Sequence, residues 1–206
     1  MNILNLFRRH RVPRETPPSE SGHFEIVLSG SGGQGIVLAG KILAKAAAIY
    51  DQKEAVMSIS YGPEARGGAS RAEVIISSAK IDYPKVMHTD ILLTLTQEAL
   101  DRYGDLLAPE GLLIADETFV EQIPPRFANV FKAPFCALAL KLLDAPIVAN
   151  IIALGALVAI TGVVSKEALI RAVLEHAPEK VLISDRLSVD MGFKAVRDSG
   201  FQWRGK

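Results

Sequence analysis

Six residues, Gly30-Ser31-Gly32-Gly33-Gln34-Gly35, constrain this chain more than any others, because they stand between a strand-like run and a helix-like run. Phe24–Ser29 is short, β-branched and apolar, as a buried strand is. Ile36–Tyr50 spaces its leucines and alanines at the helical period. A G-x-G-x-x-G pattern at such a turn lets the backbone reverse tightly and come close to a ligand. The helix that follows aims unpaired N–H groups and its positive dipole end at the same spot, so a phosphate or pyrophosphate is the natural guest. A tight strand-to-helix turn with no ligand fits the bare pattern as well.

The rest of the chain continues the alternation. Glu54–Ser60 and Arg71–Ser77 read as strands around the loop Tyr61–Ala69, and Asp90–Leu95 as a third. Gln97–Leu107 reads as a helix ended by Pro109, followed by strands at Gly111–Ala115 and Asn129–Ala133. Four helical stretches close the chain: Phe135–Leu143, Ile147–Ile160, Lys166–Ala177 and Lys180–Arg197, with Ser165 placed to cap the third. Alternating strands and helices predict an α/β, three-layer domain with a mainly parallel, Rossmann-like sheet and a helical C-terminal part. At 206 residues, 49% of them apolar and 22% charged, one such domain buries enough surface to need no staple. We expect a flexible arm over residues 1–22 and a single domain over 23–206.

Several function classes fall away on composition. Basic and acidic residues balance at 23 each, which gives no footprint for nucleic acid. One cysteine, Cys136, allows no internal disulfide and no iron–sulfur cluster or Cys-rich zinc site held by this chain alone. A lone thiol among apolar neighbours reads as a buried structural group in a reducing compartment. His10, His23, His88 and His176 show no metal spacing. The apolar run Ile147–Val164 is short for a membrane span and is broken by Asn150, Gly155 and Gly162, so a buried core helix is expected, and with it no membrane contact and a cytoplasmic chain. The start carries Arg8, Arg9, Arg11 and Arg14 with no acid before Glu15; a transit peptide looks like this, but Pro13, Pro17 and Pro18 favour a solvated linker. Asp116-Glu117, after a strand end, fits a place at the carboxyl edge of the sheet where α/β ligands bind, but is expected to open a solvated loop.

The kind of phosphate can be narrowed. A triphosphate-binding loop needs Lys then Ser or Thr after its last glycine, and Ile36 and Val37 stand there. A dinucleotide site wants an acid at the end of the second strand, where Ser60–Tyr61 stand instead. A second loop, Tyr61-Gly62-Pro63-Glu64-Ala65-Arg66-Gly67-Gly68, adds glycines for close approach and in Arg66 a forked cation for phosphate or carboxylate. Arg66 paired with Glu64 in a plain hairpin connection fits the same residues.

Together G-S-G-G-Q-G and Y-G-P-E-A-R-G-G, spaced as here, resemble the gamma subunit of 2-oxoacid:ferredoxin oxidoreductases, and the equivalent domain of pyruvate:ferredoxin oxidoreductase. Asp90–Thr94, Gln97–Ala99, Gly111–Ile114, Asn150 with Leu154–Leu157, and Val164–Ala168 follow in that family's order, so the resemblance covers about residues 24–195. Ser184-Asp185-Arg186-Leu187 departs from it, and the N-terminal arm is extra. The resemblance implies an accessory subunit, inactive alone, of a complex that converts a 2-oxoacid, CoA and oxidised ferredoxin to acyl-CoA, CO2 and reduced ferredoxin. The 2-oxoacid would be of the pyruvate, 2-oxoglutarate or ketoisovalerate type. This chain has no G-D-G thiamine motif, so thiamine diphosphate and the iron–sulfur clusters would sit on alpha, beta and ferredoxin-like delta partners, with ferredoxin met indirectly. CoA would meet Gly30, Ser31, Gly32, Gly33, Gln34, Gly35, Gly62, Glu64, Arg66, Gly67 and Gly68, with no catalytic residue or metal ligand among them. A stand-alone nucleotide-binding protein and a purely structural interaction module are the competing readings.

Overall fold

The chain is described by a computed structural model, over residues 22–60, 68–143, 148–176 and 182–205. Six strands form one sheet: β1 (His23–Ser31), β2 (Glu54–Ser60), β3 (Ala69–Ser77), β4 (Thr89–Thr94), β5 (Leu107–Asp116) and β6 (Asn129–Ala133). Their order is β2-β3-β1-β4-β5-β6. β1–β4, β4–β5 and β5–β6 pair in parallel, while β3 pairs antiparallel with both β1 and β2. Two reversals return β2 to the direction of β1, so β3 alone runs against the rest. The expected mainly parallel sheet is therefore present, with one inserted antiparallel strand.

Alternation along the strands sorts side chains to two faces. Ile26, Leu28, Val74, Ile91, Leu93 and Ile114 face a layer made by helices α1 (Ile36–Lys45), α3 (Phe135–Leu143), α4 (Ala149–Thr161), α5 (Lys166–His176) and α6 (Leu182–Ser199). Val27, Leu92 and Leu113 face the other way, onto Leu100 and Tyr103 of α2 (Gln97–Tyr103) and Val120. That is the three-layer arrangement, heavy on one face and thin on the other. Each aliphatic side chain fully buried this way contributes about 1.5–3 kcal/mol.

The apolar run expected as a core helix is one: Ala149 through Val158 are all buried. No helix is long and apolar enough, among the described residues, to cross a membrane. α4 meets α6 at backbone contact. A Cβ on Gly155 would lie 2.5 Å from the Val189 carbonyl oxygen, and one on Gly192 would lie 2.2 Å from that of Ile152. Small residues at this crossing let the two helices touch.

Three expectations need correction. The helix read as Ile36–Tyr50 is helical to Lys45 and then widens into a π-type turn over Ala46–Tyr50. The helix read as Gln97–Leu107 stops at Tyr103, a short 3₁₀ turn follows, and Pro109 lies inside β5. Proline is tolerated there because the register jumps: Thr89 faces Leu107, whereas Ile91 faces Leu112. Asp116 does not open a solvated loop; it is fully buried.

Candidate functional site

β1 lies where the strand order turns, with β3 and β2 on one side and β4 to β6 on the other. In open α/β sheets ligands bind beyond the carboxyl ends of strands at such a switch point. The loop Gly30–Gly35 leaves β1 at this place. Its foundation is stiff: Leu95 N–H donates to the Ser29 carbonyl (3.0 Å), Ser29 Oγ donates to the Leu93 carbonyl (3.0 Å), and Ser70 Oγ donates to the Gly30 carbonyl (3.3 Å).

Within the loop Gln34 has a structural task. Ser31 N–H donates to Gln34 Oε1 (2.8 Å), and Gln34 N–H donates to the Ser31 carbonyl (3.2 Å). The folded-back amide occupies the space over Gly30, where a Cβ would stand 2.5 Å from Gln34 Oε1. Gly33 and Gly35 have φ of 91° and 72°, a conformation that favours glycine. Gly32 and Gly33 are exposed, and nothing lies within 4 Å of a Cβ placed on Gly33. The loop thus presents bare backbone to an open space.

What distinguishes this corner is how helix starts are satisfied. Four N–H groups at the start of each helix need an acceptor. Thr96 Oγ1 accepts from Ala99 N–H at α2 (3.3 Å), Asp116 Oδ2 from Cys136 N–H at α3 (2.8 Å), and Ser165 Oγ from Ala168 N–H at α5 (3.1 Å). The cap of α1 is Gly35 and that of α4 is Val148, and neither supplies a side-chain acceptor. These two starts, without a side-chain cap among the described residues, are joined to each other: Asn150 Nδ2, in the first turn of α4, donates to the Gly35 carbonyl (3.0 Å). Two N–H fans and their dipoles thus meet at the glycine loop, which suits an anionic group.

Of the residues expected to form the site, Gly30, Ser31, Gly32, Gly33, Gln34 and Gly35 come together as one turn, and Gly68 stands one residue before β3. Gly62, Glu64, Arg66 and Gly67 lie outside the described residues, as does most of the arm. Two residues near the loop escaped sequence reasoning. Arg71 faces Ser29 across the β1–β3 pair, bridges Glu73 at 2.8 Å and stacks 5.3 Å over the Tyr103 ring, leaving its Nε buried without a partner among the described residues. Asn150 is the other. A lone amide at the head of an apolar run was the signal, and it entered only as an argument against a membrane span and as one match in the family's order.

Other titratable groups serve the framework. Burial, and then a hydrogen bond with Asp116, push the Cys136 thiol far above its ordinary range, which suits an inert group. Asp185, inside the departing Ser184–Leu187 stretch, is 8% exposed, and burial raises its carboxyl above the usual value. His23 pairs with Glu25 at 3.7 Å, and His176 Nδ1 sits 2.8 Å from the Ala172 carbonyl. Among the described residues no three His, Cys, Asp or Glu side chains gather as a metal site. The geometry suits an anionic group, and among the described residues it shows no nucleophile beside a base.

Comparison with known proteins gives concordant results. Residues 25–198 match the family POR, pyruvate ferredoxin/flavodoxin oxidoreductase. The chain is 47% identical over 176 residues to 2-oxoglutarate synthase subunit KorC of Methanocaldococcus jannaschii, covering 84% of this chain and 94% of that one. Among solved structures it is similar to the gamma subunit of a keto/oxoacid ferredoxin oxidoreductase from Geobacter sulfurreducens. There the TM-score is 0.77 at 48% identity, over 85% of this chain and 99% of that one. The fold also recurs in 2-oxoglutarate:ferredoxin oxidoreductase from Magnetococcus marinus, solved with 2-oxoglutarate, coenzyme A and succinyl-CoA bound. That likeness has a TM-score of 0.74 at 23% identity and covers 87% of this chain and 32% of that one.

Proposed function

This chain belongs to the pyruvate ferredoxin/flavodoxin oxidoreductase family, and we propose that it is the gamma-type accessory subunit of a CoA-acylating 2-oxoacid oxidoreductase that uses 2-oxoglutarate. The observation that carries this reading is the match to the 2-oxoglutarate synthase subunit KorC, which spans 94% of that separate subunit and not a fragment of a longer enzyme. The solved gamma subunit, matched over 99% of its length, supports the same role. With one cysteine in the whole sequence, the electron-transfer clusters belong to partner chains, and thiamine diphosphate with them. The partners are then alpha, beta and ferredoxin-like delta subunits, and the arm of residues 1–22 is a docking element for them.

Within that complex the glycine loop receives phosphates of CoA. The support is the uncapped α1, the exposed Gly32 and Gly33, and the absence of the lysine that a triphosphate loop requires. The structure adds a reason against a dinucleotide: β3 lies between β1 and β2, so β2 is not the adjacent strand whose end carries the ribose-binding acid. Gly62, Glu64, Arg66, Gly67 and Gly68 complete the site, with Arg66 as the cation.

The assembled oxidoreductase should reduce ferredoxin with 2-oxoglutarate and CoA, and the isolated chain should not. Arg66→Ala should raise the apparent KM for CoA about 10- to 100-fold, the equivalent of one charge-assisted contact of roughly 1.5–3 kcal/mol, and leave the KM for the 2-oxoacid near its wild-type value. Arg66→Lys should restore part of the loss, because a point charge replaces the fork incompletely. An unchanged CoA KM in a normally assembled Arg66→Ala enzyme overturns the CoA assignment. Preference for pyruvate over 2-oxoglutarate overturns the substrate.

A further inference from the structure

The joint between α1 and α4 holds a polar atom that the fold does not use. Asn150 is 3% exposed and is the sole polar side chain among the ten consecutive buried residues Ala149–Val158. Its Nδ2 is spent on the Gly35 carbonyl, which also accepts Ala39 N–H at 2.9 Å as the first bond of α1. Its Oδ1 is buried and has no hydrogen-bond partner among the described residues. Covalent geometry fixes Oδ1 beside Nδ2, so this orphaned acceptor lies at the head of α1, next to the glycine loop. A buried acceptor left unpaired is costly, and leucine fills nearly the same shape without it. The tie to Gly35 explains half of the amide only.

We propose that Asn150 reads a hydrogen-bond donor on the ligand held at the glycine loop, and so makes the site specific for anions that carry an N–H or O–H on the side of the pyrophosphate away from the nucleoside. The inference rests on the reading of that loop as a CoA contact and narrows it. The loop and the open helix starts offer donors, which any anion satisfies. Asn150 Oδ1 is the acceptor among them, and a bare phosphate without a proton cannot satisfy it. CoA has the matching pattern, since its pantoate hydroxyl and then an amide N–H follow a few bonds past the pyrophosphate, on the side away from the adenosine. ADP carries the pyrophosphate and ribose hydroxyls on its nucleoside side, but nothing follows its terminal phosphate, where CoA has the hydroxyl and the amide. Asn150 is thus a specificity residue that separates the acyl carrier from plain nucleotides. Oδ1 is covered in this structure, so the donor reaches it by displacing what covers it.

The test is calorimetric titration of the full-length chain with CoA and, separately, with ADP, for wild type, Asn150→Leu and Asn150→Asp. Asn150→Leu should weaken CoA about tenfold and ADP by less than about twofold, which collapses the preference for CoA. Asn150→Asp keeps an acceptor in place, so its CoA-to-ADP ratio should stay near the wild-type ratio even where the added charge weakens both. If Asn150→Leu fails to fold, as shown by its melting curve, Asn150→Ala carries the same expectation. CoA binding with an unchanged ratio in Asn150→Leu or Asn150→Ala overturns the inference and leaves the loop assignment standing. An equal loss for both ligands reduces Asn150 to a support of the loop and overturns it as well. Binding of neither ligand by the wild-type chain overturns the loop assignment itself, and the inference with it.

Discussion

Two junctions at the carboxyl edge of the sheet are built alike and finished differently. At the β5–α3 junction the buried Asp116 accepts from Thr118 N–H and from Cys136 N–H, each at 2.8 Å, so both its oxygens are engaged and the start of α3 is closed by the protein itself. At the β1–α1 junction the buried Asn150 engages one of its two polar atoms, and the cap of α1 is a glycine with no side chain to offer. A helix start is available to an outside anion only where the chain does not quench it. The first junction is a framework joint, and the second is a joint left open.

The largest effect expected from this contrast is at the closed junction. Asp116→Ala leaves the part-buried Cys136 N–H without its acceptor, at about 1–3 kcal/mol, while the N–H of the exposed Thr118 can turn to water, so a loss of about 1–3 kcal/mol in unfolding free energy is expected. Affinity for CoA should be unchanged in whatever fraction stays folded. Chemical denaturation measures the first and titration of CoA the second. A variant of wild-type stability, or one with weakened CoA binding, breaks the comparison, because Asp116 would then belong to the site.

How far the sequence foretold each junction follows from the range of the interactions that make it. The glycine loop was legible because its signal is local: strand, glycines and helix occupy consecutive residues, and the positive φ at Gly33 and Gly35 needs nothing distant. β4, β6 and α3 were legible through short-range periodicity. Ser165 was legible as a cap because it contacts Ala168, three residues on. Asp116 was misread because its partner Cys136 lies 20 residues away, and nothing in the order Asp116-Glu117 separates a buried cap from a solvated acid. Asn150 reaches across 115 residues to Gly35, a contact no spacing rule encodes. Pro109 was misread for the same reason: the register jump that frees it belongs to the pairing with β4 and not to its own neighbours.

A middle-sized effect sharpens the open junction. Gly33→Ala meets no protein atom within 4 Å, so its cost in stability comes from backbone conformation at φ 91° alone, about 1–2 kcal/mol. The added methyl projects into the open space over the loop, where the ligand's phosphates would sit, so CoA binding should fall further than stability does. Comparing the change in melting temperature with the change in CoA affinity checks this. Equal affinity in a folded Gly33→Ala chain would mean that no ligand approaches the backbone there.

The smallest effect returns to the closed junction and concerns Cys136. Burial and the neighbouring Asp116 raise its thiol well above the ordinary value in the folded state. Below that ordinary value the thiol is neutral whether the chain is folded or not, and the contribution to stability is fully present. As pH rises past about 9, the unfolded chain gives up the proton and the folded chain does not, so the contribution is lost with rising pH. One pH unit above the unfolded value corresponds to about 1.4 kcal/mol at most. The thiol is only half-buried, and solvent screening brings the expectation to about 1 kcal/mol or less. Comparing wild type with Cys136→Ala at pH 7 and again at pH 10 isolates this group from the lysines and tyrosines that also titrate there. The gap between the two melting temperatures should move toward the alanine variant's advantage at the higher pH. In the same protein at pH 8, alkylation of Cys136 should run at least about tenfold slower than for an unfolded control, because the thiolate is the reacting species. A pH-independent gap together with fast alkylation would show a thiol open to solvent, and the junction that Asp116 closes would be looser than its two hydrogen bonds imply.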